Sequence, residues 1–218
     1  MIKAVIFDLD GVLVTTDELH YNAWKKIGEE IGINNFTRED NIRQRGVSRM
    51  ASLEILLEKT DKEYSETEKV QIAEKKNEYY VKSLENLTGK DVLSGVCEVI
   101  EALKKMGVKT AVGSASKNAP MILKKTGLLS LIDEVACGLD ITKSKPDPEV
   151  FIVAANKLGI PCEECLVVED SDAGIEAAKN AGMYALAVGA AKDNNKADFS
   201  AEGLCEIEYV KNIVKSHI

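Results

Sequence analysis

Ala4-Val5-Ile6-Phe7-Asp8-Leu9-Asp10-Gly11-Val12 is the stretch on which the fold turns. Four apolar residues in succession read as a strand buried on both faces, as in a parallel sheet. The strand runs into two acids. Unpaired buried carboxylates are expensive, so Asp8 and Asp10 must be exposed at its end. Strand alternation puts positions 8 and 10 on one side. Gly11 lets the chain turn away with no side chain in the path. Two carboxylates therefore stand at the carboxyl end of a first strand, where open α/β sheets carry their ligands.

Outward from this stretch, the apolar runs at 2–7, 108–112, 134–136, 166–168 and 184–188 read as buried parallel strands. Helical patterns lie between most of them. Alternation of strand and helix predicts an α/β fold, a doubly wound parallel sheet covered on both faces. The exception is the interval 15–91, which reads as helix after helix. In it, His20, Ala23, Trp24, Ile27 and Ile31 fall on one helical face. A later helix opens with a capping box, Ser65 and Glu68, and presents Val70, Ala73, Tyr80 and Leu84 on one side. The expected organisation is a core of residues 1–14 and 92–218 with an inserted helical cap domain of residues 15–91. The cap would join the core near 14–17 and near 89–92.

The 218 residues suffice for one large domain or two small ones, and 45% hydrophobic with 29% charged residues fits a soluble globular protein. A net charge of −8 argues against nucleic acid and anionic membranes as partners, though local cations can still line a cleft for an anionic substrate. No run is long enough to span a bilayer, and the first apolar run is strand-length and ends in acids, unlike a signal peptide. Five cysteines without framework spacing fit reduced thiols in a cytoplasm. The Cys162-Glu163-Glu164-Cys165 spacing has no second pair and precedes a strand, so it reads as an ordinary loop. Nothing demands more than a monomer.

Four segments carry the chemistry: Asp8 to Gly11; Ala111 to Asn118, containing Ser114, Ala115, Ser116 and Lys117; Lys143 to Pro148, containing Lys145; and Leu166 to Gly174, containing Glu169 and Asp170. Asp8, Asp10, Glu169 and Asp170 would gather negative charge at one sheet edge, and like charges oppose joint ionisation unless a cation intervenes. Oxygen ligands without a Cys or His cluster indicate a hard cation, Mg²⁺. Lys145 adds a fixed positive charge. Ser114 and the backbone N–H groups of Ala115 and Ser116, read as the start of a helix, can hold a phosphate. These are the parts of a phosphoryl-transfer site. Taken singly, each has a plainer reading: a solvated turn for Asp8 and Asp10, helix caps for Ser114 and for Glu169-Asp170, a loop lysine for Lys145. Their order along one chain favours the chemistry.

Asp8-Leu9-Asp10-Gly11-Val12, Ser114, Lys145-Pro146 and Glu169-Asp170 resemble, in order and spacing, the four motifs of the haloacid dehalogenase-like phosphotransferase superfamily. The resemblance covers the whole chain and implies its Rossmann-like core. It implies Asp8 as the nucleophile that forms an aspartyl phosphate and Asp10 as general acid and base. It implies Mg²⁺ held by Asp8, the Asp10 carbonyl and Asp170, with help from Glu169, and a phosphoryl group held by Ser114 and Lys145. In the cap, Arg45-Gly46-Val47-Ser48-Arg49, with His20, Lys76 and Ser116-Lys117-Asn118, is similar to the β-phosphoglucomutase family, and the likeness implies that these residues and Thr16 contact the substrate. There the cap arginine, here Arg49, grips the phosphate that is not being transferred, and its planar fork suits phosphate oxygens.

That likeness implies interconversion of β-D-glucose 1-phosphate and D-glucose 6-phosphate. Arg45 departs from the lysine expected there, and Thr15 from an aspartate. His20 reads either as a core residue or as a group coupling the cap to Asp10. Arg49 reads as a phosphate ligand or a solvated helix start, and Lys76 as a solvent lysine or a substrate contact. A sugar-phosphate phosphatase and a non-catalytic binder are the alternatives of other classes.

Overall fold

The computed structural model describes residues 1–216. Six parallel strands form one sheet: β1 Ala4–Phe7, β2 Lys109–Gly113, β3 Glu134–Ala136, β4 Cys165–Glu169, β5 Tyr184–Val188 and β6 Phe199–Ala201, in the order β3-β2-β1-β4-β5-β6. The order reverses direction at β1, so the crevice at its carboxyl end is the switch point where such sheets bind ligands. Helices α1 Asp17–Glu30, α2 Arg38–Arg43, α3 Arg49–Leu57 and α4 Glu66–Ser83 follow β1, before any second strand. The remaining helices are α5 Val96–Lys105, α6 Ala119–Thr126, α7 Glu149–Leu158, α8 Asp172–Asn180 and α9 Ile207–Ser216. The doubly wound α/β class expected from the apolar runs is the one observed.

Alternation along the strands divides the core between two faces. Val5, Phe7, Val112, Leu166, Val168 and Leu186 point into one cluster, closed by α5, α6 and α9 through residues such as Ile100, Ile122 and Ile213. Ala4, Ile6, Ala111, Val167 and Ala185 point the other way, onto Phe151 and Ala154 of α7 and Ile175 of α8. The alanines and glycines of this second face let α7 sit close to the sheet. A Cβ at Gly113 would stand 2.7 Å from the Phe151 ring.

The first four helices have a cluster of their own: Trp24 and Ile27 of α1, Leu53 and Leu56 of α3, and Ile72 and Ala73 of α4, with Ile33 and Phe36. The separation is incomplete, because Ala23, Tyr80 and Leu84 pack into the sheet's first cluster. The two chain crossings between helices and sheet run side by side. Thr15 N–H donates to Asp91 O (3.0 Å) and Leu93 N–H to Leu13 O (3.0 Å), and Val14 pairs antiparallel with Val92. Thr15 engages this pairing through its backbone while its side chain is exposed, which is how the chain accommodates Thr at that position.

Several details differ from the reading of the sequence. A sixth strand, β6, is too short and too polar to show as an apolar run. Helix α1 stops at Glu30, so Ile31 lies just past its end and packs from there on the helical cluster. The Ser65–Glu68 capping box forms, but Val70 is exposed while Ala73, Tyr80 and Leu84 are buried. Cys162 to Glu164 form a 3-10 turn leading into β4. Among the described residues no helix is long and apolar enough to cross a membrane.

Leu53 is fully buried in the helical cluster beside Trp24, the only tryptophan of the chain. Leu53→Ala should cost about 2–5 kcal/mol. The check is urea unfolding followed by Trp24 emission, whose transition should move to lower urea.

Candidate active site

Strand β1 ends at Phe7, yet Asp8 still donates its N–H to Val168 O of β4 at 2.9 Å. Its side chain thus stands between the two central strands, at the switch point. Beyond it the chain turns. Leu9 is fully buried, and Gly11, at φ +87°, donates its N–H to Val14 O at 2.9 Å. Asp8 and Asp10 share one side because of this turn, not because of strand alternation. Gly11 is required twice over, since its φ is left-handed and any Cβ would collide with the Asp170 carboxylate.

Lys145 lies fully buried under the turn. Its Nζ donates to Asp8 Oδ1 at 2.5 Å and also to Glu169 Oε1. The other oxygen of Glu169 accepts from Ser171 N–H at 2.8 Å and Ser171 Oγ at 2.9 Å. Glu169, expected to assist in holding the cation, meets Lys145 and Ser171 here and does not line the cavity. Both its oxygens are engaged, it is fully buried, and its role here is to hold Lys145. Burial alone would lower the Lys145 pKa, but Asp8 and Glu169 outweigh it and raise the pKa, so the ammonium persists. One ammonium faces two carboxylates, with Asp10 and Asp170 close by. Burial raises Asp8 well above the usual carboxylate range; Lys145 opposes this, and Glu169, Asp10 and Asp170 add to it. Asp170 is pushed up to about 7 by burial and by Glu169.

That excess of negative charge tests the fit of a divalent cation. Asp8 and Asp170 both open to the cavity, and their oxygens are the donors a hard cation takes. Among the described residues no three His, Cys, Asp or Glu side chains converge on one point, so two carboxylates and backbone oxygen would have to serve. The Asp10 carboxylate is turned to Thr16, whose Oγ1 donates to Asp10 Oδ1. Thr16 is fully buried and engaged there, off the cavity wall, instead of at the expected place beside a substrate. Burial raises Asp10, and the Thr16 hydrogen bond partly offsets it.

A cavity of about 580 Å³ lies over these groups. Asp8, Asp10, Ser114, Ala115, Ser116, Lys117 and Asn118 line it from the sheet side, and His20, Arg45, Gly46, Val47, Arg49 and Lys76 from the helical side. The segment after β2 is not a helix start, because α6 begins only at Ala119. It is a chain of small turns instead. Ser116 N–H donates to Ser114 Oγ (3.1 Å) and Asn118 N–H to Ser116 Oγ (3.2 Å), so the Ser116 N–H is already engaged.

On the helical side, Lys76 is buried against the Trp24 and Tyr80 rings, 4.7 and 4.8 Å from their centroids, with Nζ 3.0 Å from His20 Nδ1. It is neither a solvent lysine nor paired with an acid. Burial, aided by Arg49, pushes it down to about 7. His20 stacks on Tyr80 at 4.0 Å, and burial together with Lys76 holds its pKa well below normal. It is at once a packed residue and a cavity residue. Arg49 opens α3 and is half-buried. Arg45 is not free for a ligand: it donates to Asp17 through Nε (3.4 Å) and Nη2 (2.9 Å), with Nη1 3.9 Å from Asp170 Oδ2. Asp17, Asn41 and Asn77 are cavity residues that no motif marks. Their polar partners come from distant segments, so no local pattern could reveal them.

Lys145→Met would leave Asp8 and Glu169 facing each other without a counter-ion. The folded state should lose about 3–5 kcal/mol, read as a shifted urea midpoint. A variant as stable as the parent would contradict the shared ion pair.

Residues 5–188 match the family model described as haloacid dehalogenase-like hydrolase. A Bacillus subtilis protein named β-phosphoglucomutase is 40% identical over 189 residues, 86% of this chain and 83% of that one. A Thermotoga maritima protein named phosphorylated carbohydrates phosphatase is 30% identical over 219 residues, 98% of each. The crystal structure of a β-phosphoglucomutase from Clostridium difficile superimposes with a TM-score of 0.93 at 36% identity, covering 100% of this chain and 99% of that one. With that model spanning most of the chain, and the sheet, the inserted helices and the acid-lysine cluster all in place, the chain belongs to the haloacid dehalogenase-like hydrolase family.

Proposed function

We propose that the protein interconverts β-D-glucose 1-phosphate and D-glucose 6-phosphate through an aspartyl phosphate on Asp8 and a glucose 1,6-bisphosphate. The observation that carries this reading is one cavity with two ends that can each hold a phosphate, the acidic one through a cation. At one end Asp8 and Ser114 line the wall, and Lys145 meets Asp8 from beneath it. At the other, Arg49 and Lys76 line the helical wall and Lys117 faces the cavity from the sheet side, and among the described residues no carboxylate closes on any of the three as an ion pair. A hydrolase needs the first end alone; a mutase must also hold the phosphate that is not reacting. The likeness to proteins named β-phosphoglucomutase supports the choice, and the Thermotoga maritima relative keeps sugar-phosphate hydrolysis as the second reading.

In this reading residues 1–14 and 92–218 are the catalytic core and residues 15–91 the cap. Asp8, ionised against Lys145, attacks phosphorus; the P–O bond to the departing oxygen breaks, and that oxygen takes a proton from Asp10. In the second half the sugar hydroxyl attacks the aspartyl phosphate, its proton passes to Asp10, and the bond from phosphorus to Asp8 breaks. The bisphosphate so formed exchanges ends before Asp8 attacks its other phosphate, with Arg49, Lys76 and Lys117 holding the idle one. Ser114 and Lys145 hold the reacting one, and Ala115, Ser116 and Asn118, with Gly46 and Val47, bound the sugar. Asp8, Asp170 and the Asp10 carbonyl are the groups that would hold Mg²⁺, which supplies neutralising charge to the phosphoryl oxygens when bound. All these groups belong to one chain, so a monomer suffices; five free thiols fit a reducing cytoplasm.

The test is direct. Protein, β-glucose 1-phosphate, Mg²⁺ and a bisphosphate primer are mixed, and glucose 6-phosphate and free phosphate are measured separately. Glucose 6-phosphate should dominate; phosphate alone would decide for the hydrolase. Arg49→Ala should lower glucose 6-phosphate formation at least roughly tenfold, the scale of one lost charged contact. Unchanged turnover would remove the second phosphate site.

Lys76 generates a pH test. Its pKa in the free protein is about 7, and an anionic ligand raises it. Above that value binding must draw a proton onto Lys76, so affinity for the sugar phosphate should fall as pH rises beyond 7. Calorimetry across pH 6–9 should show the fall in the parent and a flatter profile in Lys76→Met.

A further inference from the structure

We infer that the Asp17–Arg45 ion pair is a latch that decides whether the phosphoryl group on Asp8 passes to a sugar or to water; this rests on the aspartyl-phosphate reading above. Asp17 is the first residue of α1, directly after the crossing at 14–16. Arg45 lies on the loop between α2 and α3 and donates twice to Asp17, while Asn41 Nδ2 of α2 donates to Asp17 Oδ1 at 3.0 Å. One carboxylate thereby gathers α1, α2 and the loop.

The loop is also where the helical unit meets the sheet. A Cβ on Gly46, at φ +72°, would stand 2.5 Å from Ser171 Oγ, so its backbone lies directly on the residue that fixes Glu169. Arg45 Nη1 completes the junction, 3.9 Å from Asp170. Across the cavity, Asn118 Nδ2 donates to Asn77 Oδ1 at 2.9 Å. Helices and sheet therefore meet on both sides of Asp8. The Asp17 side ties that contact to the chain crossing at 14–16.

The arginine is what makes the tie. Its fork reaches Asp17 with two nitrogens and leaves the third toward Asp170, which the point charge of a lysine does not do. Arg45 and Asp17 are positioning residues here. Their effect falls on the competing step in which water adds to phosphorus, its proton passes to Asp10, the bond to Asp8 breaks and inorganic phosphate leaves. A latched loop excludes that water.

The experiment charges Asp8 with acetyl phosphate and Mg²⁺ and follows phosphate release with and without glucose 1-phosphate, in the parent, Asp17→Asn, Asp17→Glu, Arg45→Lys and the Asp17→Asn/Arg45→Lys double variant. Asp17→Asn and Arg45→Lys should each shorten the lifetime of the phosphoenzyme several-fold and raise phosphate released per sugar transferred. The double variant should be no worse than either single one, and Asp17→Glu should recover part of the loss. An unchanged lifetime, additive effects, or an equal fall in both transfers would overturn the latch; the last is what loss of folded structure alone would give. Should the parent release phosphate and never phosphorylate the sugar, the mutase reading fails. The latch is then still judged by the lifetimes without sugar.

Discussion

Lys145, shared between Asp8 and Glu169, is the interaction on which the rest of the site depends. A buried ammonium is stable there only because two carboxylates face it, and the carboxylates are stable only because the ammonium is present. The arrangement is sealed from behind. Ser171 donates twice to Glu169, and Ser171 Oγ in turn accepts the N–H of Gly174 as the cap of α8. A helix terminus therefore orients a carboxylate, which orients a lysine, which orients the nucleophile. Such a chain of engaged polar groups keeps Asp8 in one position and leaves it little freedom to relax.

The same cluster is short of positive charge. Asp8, Asp10 and Asp170 all have raised pKa values, each with burial as the first cause. A site in this condition favours whatever brings cations and anions in matched pairs. A phosphate ester accompanied by a divalent cation is such a ligand. The far wall is poised in the opposite sense, with Lys76 depressed by burial and by Arg49. The cavity thus holds a dipole of unmet demand, acidic on the sheet side and basic on the helical side. A molecule with phosphates at two ends answers the basic wall directly and the acidic wall through its cation.

Much of this was legible in the residues. The apolar runs and their period marked five of six strands and the sheet class, because a buried parallel strand needs continuous apolar residues. Strand β6 escaped because its three residues hang on one edge, secured partly by Asp198 accepting from Ala185 N–H at 2.8 Å. The four motifs marked the cluster because each lies just past a strand or at a loop feeding it. Glu169 was read as helping to hold a cation because it adjoins Asp170 at a strand end. In the fold Lys145 arrives beneath it and claims it. Thr16 was read toward a ligand and instead turns to Asp10. Lys76 could not be told from a surface lysine, because its burial is created by Trp24 and Tyr80 from two helices.

By itself the sequence determined what is local: where strands begin, which helices cap themselves, which residue types stand beside each turn, and that a long helical insertion interrupts the sheet. Local pattern carries that information because period, capping and turn chemistry act over a few residues. Only the tertiary structure decided the pairings. It set Lys145 between Asp8 and Glu169, turned Asp10 to Thr16, drew Arg45 onto Asp17, and laid Gly46 against Ser171. All but Asp10–Thr16, six residues apart, join segments distant along the chain. The strength of a buried charge contact depends on distance and surroundings in space, which no spacing in the sequence records.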